Sequence, residues 1–328
     1  MCRIRHQRYA EKEDSMSSIN SKFIGLSQYK AAFNYELSGK NFHFVMDSGR
    51  EYSLNFLDGE NVQIAEKGEP YKWESYECMK GDPTTFLVHI MPTAGKGLIN
   101  WTFVIDTLQA LVTLVIMEEG YDPEYPRLIR VTPYFGAIKR PGCELPVIRH
   151  HLTNRMVGKH IFWHYRPGFA IQHLYVKENM IRANYGPKGD DEQYARLENE
   201  AKDPDPEVAA NAAAILKRLR SRQVFYPYYE EPSFHIWINE TLNLMCFVEE
   251  NMNRLDPERK QGGGGILLLQ DIERVTDVGV CFSAGEYYMC SAFGEECEED
   301  DPMLRRESVY DWSKFDAMPS IRWEVPEE

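Results

Sequence analysis

The chain has 328 residues, of which 43% are hydrophobic and 12% aromatic, with a formal net charge of −14. That length suits about two domains of ~150 residues each, and that apolar share argues against gross disorder. No run of Lys and Arg is dense enough to neutralise a phosphate backbone, so a nucleic-acid partner is not expected.

The N-terminal stretch MCRIRHQRYAEKEDSM is basic but has no apolar core. It does not read as a secretory signal, and residues 1–20 are expected to be a disordered leader. No apolar run approaches the ~20 residues of a membrane span, so no membrane partner is expected. The seven cysteines, at 2, 78, 143, 246, 281, 290 and 297, are odd in number and irregular in spacing. Reduced thiols in a cytoplasmic protein are the plain reading. The sequons at Asn100 and Asn239 are then unmodified.

From Asn41 the chain alternates short strand-like runs with turn residues. FHFVMD ends at Ser48-Gly49, REYSLNF at Asp58-Gly59, NVQIAE at Lys67-Gly68, and YKWESYECM at Gly81-Asp82-Pro83. TTFLVHIM, LINWTFVID, ALVTLVIME and RLIRVTPYFGAI come next. About eight such strands with short connections predict an up-and-down antiparallel barrel or a sandwich. Closure would remove the edges of so apolar a sheet.

Pro141 to Pro146 reads as a linker, and beyond it the first half recurs. Gly39-Lys40 aligns with Gly158-Lys159, Gly49 with Gly168, Phe44 with Trp163, Met46 with Tyr165 and Phe56 with Tyr175, each pair 119 positions apart. A repeat of this length predicts two copies of one structural unit. The expected architecture is therefore mainly β, two tandem lipocalin-like antiparallel β-barrels. One barrel spans 21–145, and the other spans 146–328 with an insertion at 188–222 and an acidic tail. The insertion carries one expected helix: Asp205 is placed as N-cap, Pro206 at the first helical position and Glu207 in the first turn. Val208, Ala212, Ile215, Leu216 and Leu219 share a face. That helix is either a packed surface element or a lid over a barrel mouth. Gly262 to Gly265 reads as a turn, with no helix start behind it to make a phosphate cradle.

These motifs together resemble the MoaF family, named for molybdenum-cofactor-biosynthesis protein F. In the first half the resemblance is carried by Gly39-Lys40, Asp47-Ser48-Gly49, Tyr52-Ser53-Leu54-Asn55-Phe56, Trp73 and Tyr76-Glu77. In the second it is carried by His150, Thr153, Val157-Gly158-Lys159 and the Ile171–Val176 strand. It covers roughly residues 37–295 and implies two lipocalin-like (calycin) barrels, with the 188–222 insertion as an addition. By analogy of fold alone, lipocalin-like cyclases and isomerases of fungal secondary-metabolite clusters are the nearest chemistry.

No G-x-S-x-G elbow, P-loop, G-x-G-x-x-G or H-E-x-x-H motif occurs, so the candidate site rests on strand alternation. Ile171, His173 and Tyr175 share one face of their strand. If that face is inward, an imidazole beside a phenol could move a proton near neutral pH; the other reading is a satisfied core histidine. His164 and Asp106 complete the candidate catalytic set, although Asp106 also fits a turn former ahead of Thr107. Trp163, Tyr165, Arg182, His235 and Trp237 are the candidate ligand-binding residues. His160 and His164 would lie ~13 Å apart on a strand, too far to share a metal, and no metal or cofactor is expected. Leu54 and Val45 stand where the second copy has His173 and His164, so a site is expected in the second barrel. The primary reading is a cofactor-independent isomerase, cyclase or lyase holding an apolar substrate in a barrel. A non-catalytic carrier and an assembly factor with filled barrels stay open, and a homo-oligomer is compatible with all three.

Overall fold

The computed structural model describes residues 29–166, 169–185, 190–225, 229–251 and 264–297, together with Ile321. The expected leader, Gly168, Gly262, Gly263, Trp312, Trp323 and the acidic tail beyond Cys297 lie outside the described residues.

Two closed eight-stranded antiparallel barrels stand in tandem. The first runs in sequence order through β1 (Asn41–Met46), β2 (Glu51–Phe56), β3 (Asn61–Glu66), β4 (Lys72–Lys80), β5 (Thr85–Ile90), β6 (Ile99–Asp106), β7 (Leu111–Glu119) and β8 (Ile129–Ile138). It closes where β1 pairs with β8, Phe44 opposite Ile138. After a two-residue strand, β9 (His151–Leu152), the second comprises β10 (His160–Arg166), β11 (Phe169–Lys177), β12 (Met180–Tyr185), β13 (Tyr229–Trp237), β14 (Leu242–Val248), β15 (Gly265–Asp271), β16 (Thr276–Ser283) and β17 (Glu286–Glu296). It is closed by β10 on β17 and by β12 on β13, where Arg182 faces Glu230. Strand β13 is shared: its far end pairs with β9, Trp237 opposite His151.

The repeat seen in the sequence is a repeat of hydrogen bonds. Gly39 N–H donates to Phe56 O and Gly158 N–H to Tyr175 O, both at 2.8 Å. Phe56 N–H donates back to Lys40 O at 2.9 Å, and Tyr175 N–H to Lys159 O at 3.1 Å. Both glycines have positive φ, +75° and +90°, a conformation in which a Cβ is strained. The far turns also match. Asp106 accepts from the Leu108 and Gln109 N–H groups, and Asp271 from those of Glu273 and Arg274.

Three apolar layers arise from period-2 alternation. One fills the first barrel, including Phe44, Tyr52, Leu54, Phe56, Tyr76, Phe103 and Leu114. Another lines the second, including Trp163, Tyr165, Ile171, Tyr175, Ile181, Met245, Phe247 and Leu268. The third joins the barrels through their outer faces: Leu87, Val104, Val115 and Val131 from the first meet Ile236, Leu244, Leu267, Leu269 and Val280 from the second. This is why β5, β7, β14 and β15 are apolar on both faces.

The insertion corrects the expectation of one helix. It holds two, α1 (Asp190–Glu200) and α2 (Pro206–Phe225). The start of α2 is as the sequence dictates, with Asp205 Oδ1 accepting from Glu207 N–H at 2.9 Å. Its buried residues Ala212 and Leu216 pack on Leu197 of α1. The segment DDEQYARLENE hid α1 because it offers almost no apolar stripe, and the partner that stabilises it is α2 itself.

Candidate functional site

The two barrel interiors differ in chemistry. Aromatic rings occupy the first: Phe44 lies 5.6 Å from Phe103 and Phe56 lies 4.8 Å from Tyr76, centroid to centroid. The Tyr76 hydroxyl is satisfied, donating to Asp58 O at 2.8 Å.

The second interior carries polar groups on six strands. Strand β11 turns Ile171, His173 and Tyr175 inward, because Ile171 and Tyr175 belong to the interior layer. Strand β13 turns Phe234 and Ile236 toward the first barrel, which sends Ser233 and His235 inward. By the same rule Trp163 and Tyr165 come from β10, Asn243 from β14, Gln270 from β15 and Asp277 from β16. His173, His235, Ser233, Asn243, Gln270 and Asp277 are all at most 3% exposed.

Their hydrogen bonds form a line. Trp163 Nε1–H donates to the Tyr175 hydroxyl oxygen at 3.1 Å, and Gln270 Nε2–H donates to the same oxygen at 2.8 Å. Gln270 Oε1 accepts from Asn243 Nδ2–H at 3.0 Å, and that nitrogen also lies 3.3 Å from His235 Nδ1. Since an amide nitrogen is a donor, His235 Nδ1 accepts and its proton sits on Nε2. His173 stands edge-on to Tyr175 at 6.1 Å and to Phe247 at 5.7 Å. Farther round, Tyr165 Oη donates to Asp277 Oδ2 at 3.4 Å and Ala292 N–H to Oδ1 at 2.8 Å.

Several polar atoms here have no partner among the described residues: both nitrogens of His173, His235 Nε2, Asn243 Oδ1 and Ser233 Oγ. Burial keeps the interior uncharged at neutral pH. It lowers His173 and His235 to about 3, with the neighbouring His235 adding to the shift at His173. It raises the Tyr175 phenol above its usual range, against the opposing pull of Gln270 and Trp163. It lifts Asp277 to about 8, partly offset by the Ala292 and Tyr165 hydrogen bonds. In each case removal from water penalises the charged form.

Of the residues singled out in the sequence, the structure brings His173, Tyr175, His235, Trp163 and Tyr165 together. The others lie elsewhere. His164 points outward, stacked on Phe293 at 5.0 Å with Nε2 3.5 Å from Glu295. Asp106 caps a turn of the first barrel, accepting also from Gln109 Nε2 at 2.7 Å. Arg182 is on the outer face of β12, paired with Glu230 at 2.9 Å. Trp237 shares the strand face of His235 but stands at the end of β13, stacked on His151 of β9 at 5.1 Å. His160 is outward too, bonded to Gln172. Sequence reasoning missed Asn243, Gln270, Asp277 and Ser233. For Asn243 the signal was a single polar residue in an otherwise apolar strand, LNLMCFV.

Among the described residues no group of three or more His, Cys, Asp or Glu could hold a metal ion, and no helix is long and apolar enough to cross a membrane. No curated protein matches the chain. Two eight-stranded barrels, the second lined as above, fit a small-molecule-binding or lipocalin-like protein. Residues 24–118 match the family model of the MoaF N-terminal domain, a span that runs from ahead of β1 into the last turn of residues of β7, and over that span the chain is MoaF-like.

Proposed function

We propose that the second barrel holds a small, uncharged, mainly apolar molecule inside it. The supporting observation is the set of unpartnered atoms on His173, His235, Asn243 and Ser233, all buried and all directed into one aromatic interior. An unmet buried polar group costs about 1–3 kcal/mol, so a ligand that meets several of them recovers a large free energy. The first barrel, packed with rings and satisfied hydroxyls, then serves as a scaffold that buries the outer face of the second. Free thiols at Cys78, Cys143, Cys246, Cys281, Cys290 and Cys297 fit a reducing compartment such as the cytoplasm.

Trp163 reports on the site, being 1% exposed and bonded to Tyr175. Purified protein is titrated with an extract of apolar metabolites while tryptophan emission is followed, with Trp163→Phe as reference. Quenching that saturates in the native protein and disappears in the variant supports the reading, and the retained compound is identified by mass spectrometry. Emission that does not change refutes it, because a barrel filled by its own side chains or by water would leave Trp163 undisturbed.

A second reading, a cofactor-independent isomerase, cyclase or lyase, is favoured by His173 beside Tyr175. A neutral imidazole with both nitrogens open can take a proton from carbon while a phenol donates to the developing oxygen anion. Burial makes the free imidazole a weak base, so such a step needs the substrate's own developing charge to raise its basicity. Incubation in deuterium oxide with the retained ligand separates the two readings: deuterium entering the ligand in the native protein but not in His173→Asn marks an enzyme, and an unlabelled ligand marks a carrier.

A further inference from the structure

We propose that Tyr175 donates its hydroxyl proton to a carbonyl oxygen of the bound molecule, so that the ligand class is an uncharged apolar ketone or quinone. This rests on the reading of the second barrel as a ligand site. A phenol has one hydrogen to give and two lone pairs to offer. Both lone pairs of Tyr175 are taken. Trp163 Nε1–H, at 3.1 Å, is a group that can only donate. Gln270 Nε2–H, at 2.8 Å, is the second. In this arrangement the Gln270 oxygen receives Asn243 Nδ2–H and its nitrogen faces the Met245 sulfur at 3.8 Å, an acceptor. What Tyr175 presents to the interior is therefore its hydrogen alone.

The rest of the lining narrows the ligand further. His235, whose ring lies 5.3 Å from that of Tyr175, has its proton on Nε2, where no protein acceptor meets it. Two flanking donors suit an oxygen with two lone pairs and no hydrogen of its own, which describes a carbonyl rather than an alcohol. A carboxylate is disfavoured, because Arg182 and the terminal nitrogens of Arg155 are engaged elsewhere, with Arg155 Nε the one position left open on that guanidinium among the described residues. Arg182 is outside with Glu230, and the Arg155 guanidinium donates to the carbonyls of Asn239, Glu240 and Leu242. An anion stripped of water with no cation to meet it is strongly penalised. Donation from Trp163 and Gln270 onto the phenol oxygen polarises its O–H bond and strengthens what it gives to the ligand.

The test uses the full chain and shape-matched pairs of probes, acetophenone with ethylbenzene and 9-fluorenone with fluorene. Affinities come from Trp163 quenching, and the carbonyl stretch of the bound ketone from difference infrared spectra. The ketone of a pair is expected to bind about tenfold more tightly than its hydrocarbon, the equivalent of one neutral hydrogen bond. Its carbonyl stretch is expected to move to lower frequency on binding. Tyr175→Phe should erase both effects; if that variant does not fold, the stretch in the native protein decides. A hydrocarbon that binds while its ketone gains no margin and no frequency shift overturns the role of Tyr175 and leaves the ligand site standing. Failure of every probe to bind overturns the site itself.

Discussion

Replacing Asp277 by Asn should make the protein more stable at neutral pH and flatten part of its pH dependence. The carboxyl is 3% exposed and faces Tyr165 and the Ala292 N–H with no cation paired to it. Burial lifts its pKa from 3.8 to about 8. The folded state therefore keeps a proton that the unfolded chain has lost at any pH between those values. Stability from this group is fully present below pH 3.8 and is drained as pH rises toward 8, at 1.36 kcal/mol per unit. The full shift corresponds to an upper bound of about 5–6 kcal/mol, and the interval from pH 6 to pH 8 to about 2–3 kcal/mol. Asn is isosteric, still accepts from Ala292 N–H and never ionises. The assay is urea unfolding of both proteins at pH 5, 6, 7 and 8. Other titrating groups, the buried histidines among them, cancel in the difference between the two. The stability gained by the variant should grow with pH and level off near pH 8. A difference that is flat across this range, or that falls as pH rises, would refute the assignment of a buried, protonated Asp277.

Three further outcomes are expected from named contacts. Glu230→Ala should destabilise by about 3–5 kcal/mol, because it leaves a buried guanidinium against a lost partner; Arg182→Met combined with Glu230→Leu should recover most of that in the same urea assay. His173→Leu removes two unpaired polar atoms from an apolar surround, so its melting midpoint should rise, by the equivalent of about 1–3 kcal/mol, while probe affinity falls. Acid should unfold the native protein early: His89, His150, His173 and His235, each held near 3 mainly by burial, contribute stability that is present above pH 6.5 and is lost as pH falls toward 3. A circular dichroism titration that stays flat between pH 6.5 and 4 would contradict that burial.

How much of this was legible in the sequence depends on whether a residue's role is local. Gly39 and Gly158 announced the two barrel starts because a left-handed turn is a local demand met best by glycine. Asp106, although placed in the candidate catalytic set, also fitted a turn former for the same reason, since it and Asp271 each cap N–H groups two and three residues ahead. Alternation placed Ile171, His173 and Tyr175 on one face, but it could not show which way the face points. The opposite face is just as dry: Leu174 is 0% and Gln172 2% exposed. Inward and outward were separable only once β13, β14 and β15 were seen to pack on the first barrel, a contact between distant segments. Arg182 was misplaced for that reason. Its neighbour along the strand lines the interior, and its own guanidinium is buried on the outside by a partner 48 residues away. Helix α1 was invisible because its stabilising surface is another helix of the same insertion.

Tandem packing also bears on where the open polar atoms of the second barrel lie. A strand whose outer face is buried against a neighbour needs no polar alternation to stay soluble, so its inner face is free to be polar without exposing the outer one. In the second barrel β13, β14 and β15 use that freedom, setting His235, Asn243 and Gln270 opposite Ile236, Leu244 and Leu269. In the first barrel the corresponding strands put Thr85, His89, Thr102 and Thr113 on the shared outer face and keep rings inside. There His89 bonds Thr102 at 3.0 Å and Thr113 bonds His150 at 2.8 Å, while His89 Nε2, His150 Nε2 and the Asn100 amide have no partner among the described residues. The second interior has unmet hydrogen-bonding capacity on four of its residues, His173, His235, Asn243 and Ser233. It is concentrated where the strand backs are sealed by the other copy, and a duplicated barrel supplies that seal without any change to the inward-facing residues themselves.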